Sequence, residues 1–144
     1  MRSGILLDTG PIVAFLYSRE RDHVWAVEQF TEFEAPLITC EPVLTEACFL
    51  VARNGQSPAH VLDMLGRGVI RIGLTIEDEL AAIRGLIARY ASVPMSLADA
   101  CLVRLAELTG LPICTLDSDF AIYRAHGRRP LTLISPGAHH LHEP

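Results

Sequence analysis

A chain of 144 residues, half of them hydrophobic, suits one compact domain with a substantial core. No run reaches the ~20 apolar residues of a membrane span. The opening Met-Arg-Ser-Gly-Ile-Leu-Leu-Asp meets an acid too early for a secretory signal, so a cytoplasmic protein is expected. The formal charge of −5 argues against a general nucleic-acid coat, although acids neutralised by a metal would still permit a nucleic-acid enzyme.

Residues 4–7 form an apolar run that ends at Asp8 and reads as a buried strand. Gly10-Pro11 then starts a helix over 11 to about 17, with proline in its first turn. Asp22 can cap a second helix from about 23 to 34, and residues 35–39 read as a second strand. Pro42 opens a helix to about Arg53, which Asn54-Gly55 stops. Ser57-Pro58 caps the next, to about Leu65, and residues 69–74 alternate like a strand. Thr75-x-x-Asp78 resembles a capping box for a helix reaching Tyr90, and Ser96-x-x-Asp99 starts another that Gly110 ends. Residues 112–116 read as a strand, 120–125 as a short helix, 131–134 as a last strand, and 137–144 as a loose tail. Strands alternating with helices predict an α/β fold with a mostly parallel sheet covered on both faces, whose sites form at the carboxyl ends of the strands.

Four acids sit where apolar segments end or change character: Asp8, Glu46, Asp99 and Asp117. Isolated carboxylates in apolar surroundings are costly to ionise, and several brought together repel one another. A divalent cation is the simplest compensation, which points to metal-dependent chemistry. Each acid also has a local reading. Asp8 suits a turn before Gly10-Pro11, and Asp99 supports a helix start. Asp119 suits the N-cap of the segment 120–125, which leaves Asp117 the less easily explained. Glu46 lies on the helix side of Val43, Phe49 and Leu50, with Arg53 as an alternative ion-pair partner. Thr115 favours a strand, or donates a hydrogen bond to a nearby carboxylate or phosphate.

Cys40, Cys48, Cys101 and Cys114 form no C-x-x-C pair and read as buried thiols in a reducing compartment. The His139-His140-x-His142 tail reads as solvated rather than as a metal trap. All twelve basic residues are arginine, the better bidentate phosphate ligand, though genomic base composition explains the bias without function. No P-loop, G-x-G-x-x-G or serine nucleophile elbow is present, so the chain offers carboxylates rather than nucleophiles.

Leu6-Leu7-Asp8-Thr9-Gly10-Pro11, Glu46 in an early helix, Leu97-Ala98-Asp99-Ala100 and Thr115-Leu116-Asp117-Ser118-Asp119-Phe120 together resemble the PIN-domain family, and length and compactness look most like its VapC toxins. The resemblance implies an α/β/α three-layer sandwich, with a single PIN domain over 1–136 followed by the tail 137–144. It also implies a Mg²⁺- or Mn²⁺-dependent endoribonuclease, a homodimer and a small inhibitory antitoxin. Asp8, Glu46, Asp99 and Asp117 match the acidic quartet, Asp119 shares the last role, and Thr9 and Thr115 support it. Arg19 and Arg53 are candidate contacts to RNA phosphates. The alternatives are a catalytically silent PIN-like binding module and a PIN ribonuclease of RNA processing without an antitoxin. A haloacid-dehalogenase-type phosphatase would need a second Asp where this chain has Gly10.

Overall fold

The computed structural model describes residues 2–136; the tail 137–144, with His139, His140 and His142, lies outside the described residues. Strand β1 (Leu6–Leu7) is followed by α1 (Thr9–Leu16), α2 (His23–Glu32), β2 (Leu37–Thr39), α3 (Glu41–Arg53), α4 (Ala59–Gly66) and β3 (Ile70–Ile72). Helices α5 (Leu80–Arg89) and α6 (Leu97–Thr109) lead to β4 (Ile113–Cys114) and a 3-10 helix (Ser118–Ala121). A hairpin of β5 (Arg124–Ala125) and β6 (Arg129–Pro130) precedes β7 (Leu133–Ile134).

One sheet runs β3-β2-β1-β4-β7 with every pairing parallel, as the alternation of strands and helices predicts. From β1 the chain steps outward through β2 to β3, then doubles back to β4 on the other side of β1. Right-handed crossovers therefore place α1 to α4 on one face and α5 and α6 on the other. Ile5, Leu6, Leu7, Ile113 and Cys114 are buried between these layers, which is why both strands read as continuous apolar runs rather than alternating ones. The order reverses between β1 and β4, and in such sheets the crevice beyond the strand ends at that point is where sites form.

Several boundaries differ from those the sequence predicts. Helix α1 starts at Thr9, capped by Asp8, with Pro11 inside its first turn. Asp22 precedes α2 without making a side-chain cap. Helix α5 starts at Leu80 rather than near Thr75. The Thr75 hydroxyl does accept from Asp78 N at 3.4 Å, but the carboxylate of Glu79 is drawn aside to Arg104 at 2.7 Å. The expected helix over 120–125 is a 3-10 helix ending at Ala121 and then strand β5. Tyr90 Oη accepts from Arg124 N at 2.9 Å, and positive φ at His126 (54°) and Gly127 (74°) turns the chain into the hairpin. Helix α3 buries Val43, Leu44, Ala47 and Val51, so of the apolar side read from the sequence Val43 is in the core, Leu50 is half-buried and Phe49 is exposed. Cys40, Cys101 and Cys114 are buried and Cys48 is half-buried; all four are free thiols. Among the described residues, no helix is long and apolar enough to cross a membrane.

Gly110 ends α6 in a left-handed conformation, φ 71°, where an added Cβ would meet nothing within 4 Å. Gly110→Ala therefore probes backbone conformation alone. It should lower the unfolding free energy by about 1 kcal/mol in urea titration. An unchanged midpoint would mean that the helix does not end in this geometry in solution.

Candidate active site

At the switch point the strand ends open into a cleft of about 420 Å³. Asp8, Glu46, Asp99, Asp117 and Asp119 all line it, with Leu50, Pro94 and Leu116 as apolar walls. The five acids singled out in the sequence thus come together from β1, α3, α6 and the segment after β4. Gly10 suits this close approach: a Cβ there would lie 3.1 Å from the Leu116 side chain, so a larger residue would require Leu116 to give by a few tenths of an ångström.

Asp8 is buried at the end of β1. Its Oδ1 accepts from Thr9 N at 2.8 Å, which caps α1, and its Oδ2 accepts from Thr115 Oγ1 at 2.6 Å. The local turn role and the cleft role therefore coincide in one side chain. Thr115 Oγ1 also accepts from Asp117 N at 2.9 Å, tying the loop after β4 to Asp8. Thr39 Oγ1 donates to Leu7 O at 2.7 Å and braces the strand just before the acid. Asp99 lies in the first turn of α6, where Ser96 Oγ accepts from Asp99 N at 3.0 Å. Its Oδ2 accepts from Tyr123 Oη at 2.8 Å.

The outer acids are held differently. Glu46 is exposed on α3 and forms no ion pair with Arg53, whose guanidinium instead lies over Phe49. Asp117, not Asp119, caps the 3-10 helix: its Oδ1 accepts from Asp119 N at 2.9 Å. Thr9 Oγ1 is buried without a full hydrogen bond, though it lies near enough to Glu46 to favour that group's charged form.

Burial pushes Asp8 up from the ordinary 3.8 to about 7, against the lowering effect of Thr115 and Thr9; the nearby charges of Asp99 and Glu46 add to the rise. Asp99 is raised by desolvation, opposed by its hydrogen bonds with Tyr123 and Ser96. Glu46 is raised by desolvation and then by the charges of Asp99 and Asp117. The cleft is thus short of positive charge. Yet no three Asp, Glu, His or Cys side chains among the described residues are closed into a group able to hold a metal ion. The acids surround the cleft rather than converge on one point.

Arg19, in the segment after α1, and Arg53, at the end of α3, are both exposed and outside the cleft lining. Sequence reasoning missed Tyr123. It is fully buried, packed edge-on against Tyr90 and Phe120, and is the donor that fixes Asp99. Nothing local marks it, because its partner is 24 residues away.

The family pattern described as PIN domain matches residues 5–125. Among solved structures, the chain is similar to Mycobacterium tuberculosis VapC20, described as a sarcin-ricin loop cleaving toxin. The identity is 22% and the TM-score 0.73, over 88% of this chain and 99% of that one. At that identity the likeness is one of fold. No curated protein sequence matches significantly.

Asp8 makes the stability of the metal-free protein pH-dependent. Its folded pKa of about 7 lies above the ordinary 3.8, so the native state holds the proton more tightly than the unfolded chain. The associated stability is fully present below pH ~4 and is lost as pH rises to ~7. In EDTA, the wild type should lose melting temperature across that interval, and Asp8→Asn should lose markedly less. Parallel profiles for the two proteins would contradict the burial argument.

Proposed function

This chain belongs to the PIN domain family, and we propose that it is a metal-dependent endoribonuclease that hydrolyses RNA phosphodiester bonds, the toxin of a VapBC-type toxin–antitoxin pair. The observation that carries the reading is the gathering of Asp8, Glu46, Asp99, Asp117 and Asp119 around one cleft at the sheet's switch point. The shared fold with VapC20, a sarcin-ricin loop cleaving toxin by its description, supports RNA as substrate. The same reading makes residues 1–136 the single domain, the cytoplasm the location, a homodimer the assembled form and a small antitoxin the inhibitory partner.

The donor set fits Mg²⁺ or Mn²⁺: the polar side chains facing the cleft offer hard oxygens, and Thr9 Oγ1 lacks a full hydrogen bond. Asp8, Glu46, Asp99 and Asp117 would hold the ion, with Asp119 beside Asp117. When bound, the ion supplies Lewis-acid stabilisation of the phosphate charge and activation of water.

The chain's own groups define where reaction takes place. Thr115 and the Thr9 amide lock both Asp8 oxygens, and Tyr123 locks one oxygen of Asp99, so these two acids are preorganised. Burial keeps Asp8 partly protonated near neutrality, so it ionises fully only when positive charge arrives. Glu46, held above its ordinary value at the cleft mouth, would help hold the ion or orient the attacking water. Leu50, Pro94 and Leu116 narrow the cleft around the scissile phosphate.

Asp8→Asn should lower Mg²⁺-dependent RNA cleavage roughly a hundredfold or more while its far-ultraviolet circular dichroism stays that of the wild type. Cleavage retained at the wild-type rate would remove Asp8 from the machinery. Tyr123→Phe should weaken Mn²⁺ binding by about tenfold in calorimetry, the usual scale for losing a group that orients a ligand. Unchanged affinity would show that Asp99 does not depend on the tyrosine.

A further inference from the structure

Phe49 is 61% exposed on α3, three residues after Glu46 and one before Leu50, both of which line the cleft. Positions three and four apart on a helix are neighbours, so Phe49 lies beside Glu46, next to the acidic cleft though not in its lining. Arg53, one turn further on, holds its guanidinium carbon 5.8 Å from the ring centroid. That guanidinium makes no hydrogen bond or ion pair with any described residue. An exposed ring whose guanidinium neighbour lies over it and makes no hydrogen bond suits a ligand that is both flat and anionic. An apolar protein segment laid on the same ring would bury that charge without a partner, which is unfavourable.

We propose that Phe49 and Arg53 form a subsite for one unpaired nucleobase of the RNA next to the scissile phosphate. The phenyl ring stacks on the base, and the guanidinium contacts the adjoining phosphate or the outer edge of the stack. The subsite rests on the reading of the cleft as RNA-cleaving, and it supplies what an acidic cleft lacks: a hold on the substrate that does not depend on the carboxylates. It also sets a condition on the substrate, because the base must be free of pairing to reach the ring.

The test uses an RNA that the wild type cuts, with a single abasic position walked along it. For the wild type, one position near the cut should raise KM about tenfold, the scale of one lost stack, with kcat little changed. Phe49→Ala should raise KM by a similar factor on the intact RNA and lose its sensitivity to that position. Phe49→Trp should restore both, whereas Phe49→Leu should behave like the alanine variant. Equal sensitivity to the abasic position in wild type and Phe49→Ala would overturn the proposal. So would wild-type behaviour of Phe49→Leu, which would make Phe49 a generic apolar contact, as for a protein partner. If the wild type cuts no RNA, the nuclease reading fails by itself. The same comparison is then read as binding of a labelled single-stranded oligonucleotide by anisotropy, where an unchanged affinity of Phe49→Ala would overturn the subsite.

Discussion

Asp8 is a carboxylate buried at the end of β1, and much of the surrounding structure answers it. Desolvation alone would hold such a group neutral, and two donors oppose that: the Thr9 amide at the start of α1 and the Thr115 hydroxyl beyond β4. The second depends on register. Leu7 pairs with Cys114, so the residue after each strand end meets its counterpart across the ladder. A slip of one residue would turn Thr115 to the other face and leave the acid with one donor. Even with both, burial prevails and Asp8 stays near 7. The fold thus builds a site that lacks a positive charge at the reversal point of its sheet.

The other acids divide by how they are fixed. Asp8 and Asp99 are buried and tied through hydroxyls of Thr115 and Tyr123, residues that come from the same stretch of chain after β4. Glu46 and Asp117 are exposed at the rim. Like charges resist being packed together without a counterion, which accounts for acids that ring the cleft without closing on one point. One half of the donor set is rigid and the other is adjustable.

The acids were legible because each sits beside a strong local signal: an apolar run that stops, a proline-opened helix, a Ser-x-x-Asp start. Asp117 and Asp119 show the limit of such signals. Asp119 reads as the N-cap, yet the path of the loop makes Asp117 the cap and brings both to the cleft. Tyr123 was invisible, since its value lies in reaching Asp99 across the interior. The hairpin was missed because residues 120–125 read as a helix, whereas the decisive feature is positive φ at His126 and Gly127. Phe49 was misplaced for a different reason. Periodicity finds the sides of a helix, but crossover topology decides which side meets the sheet, and α3 buries Val43 together with Ala47 and Val51 while Phe49 is left outside.

The net charge of −5 is the remaining constraint on any RNA-directed role. A cleft ringed by five acids repels phosphate, and neither Arg19 nor Arg53 lines it. Under the proposed mechanism, a divalent cation changes the sign of the interaction: the acids that exclude RNA in its absence become the reason RNA is held in its presence. Metal and substrate are then linked, each raising the affinity for the other by the same factor. Contacts that work without charge, such as a base stacked on an exposed ring, gain weight in a protein of this kind, because they hold RNA whether or not the acids are neutralised.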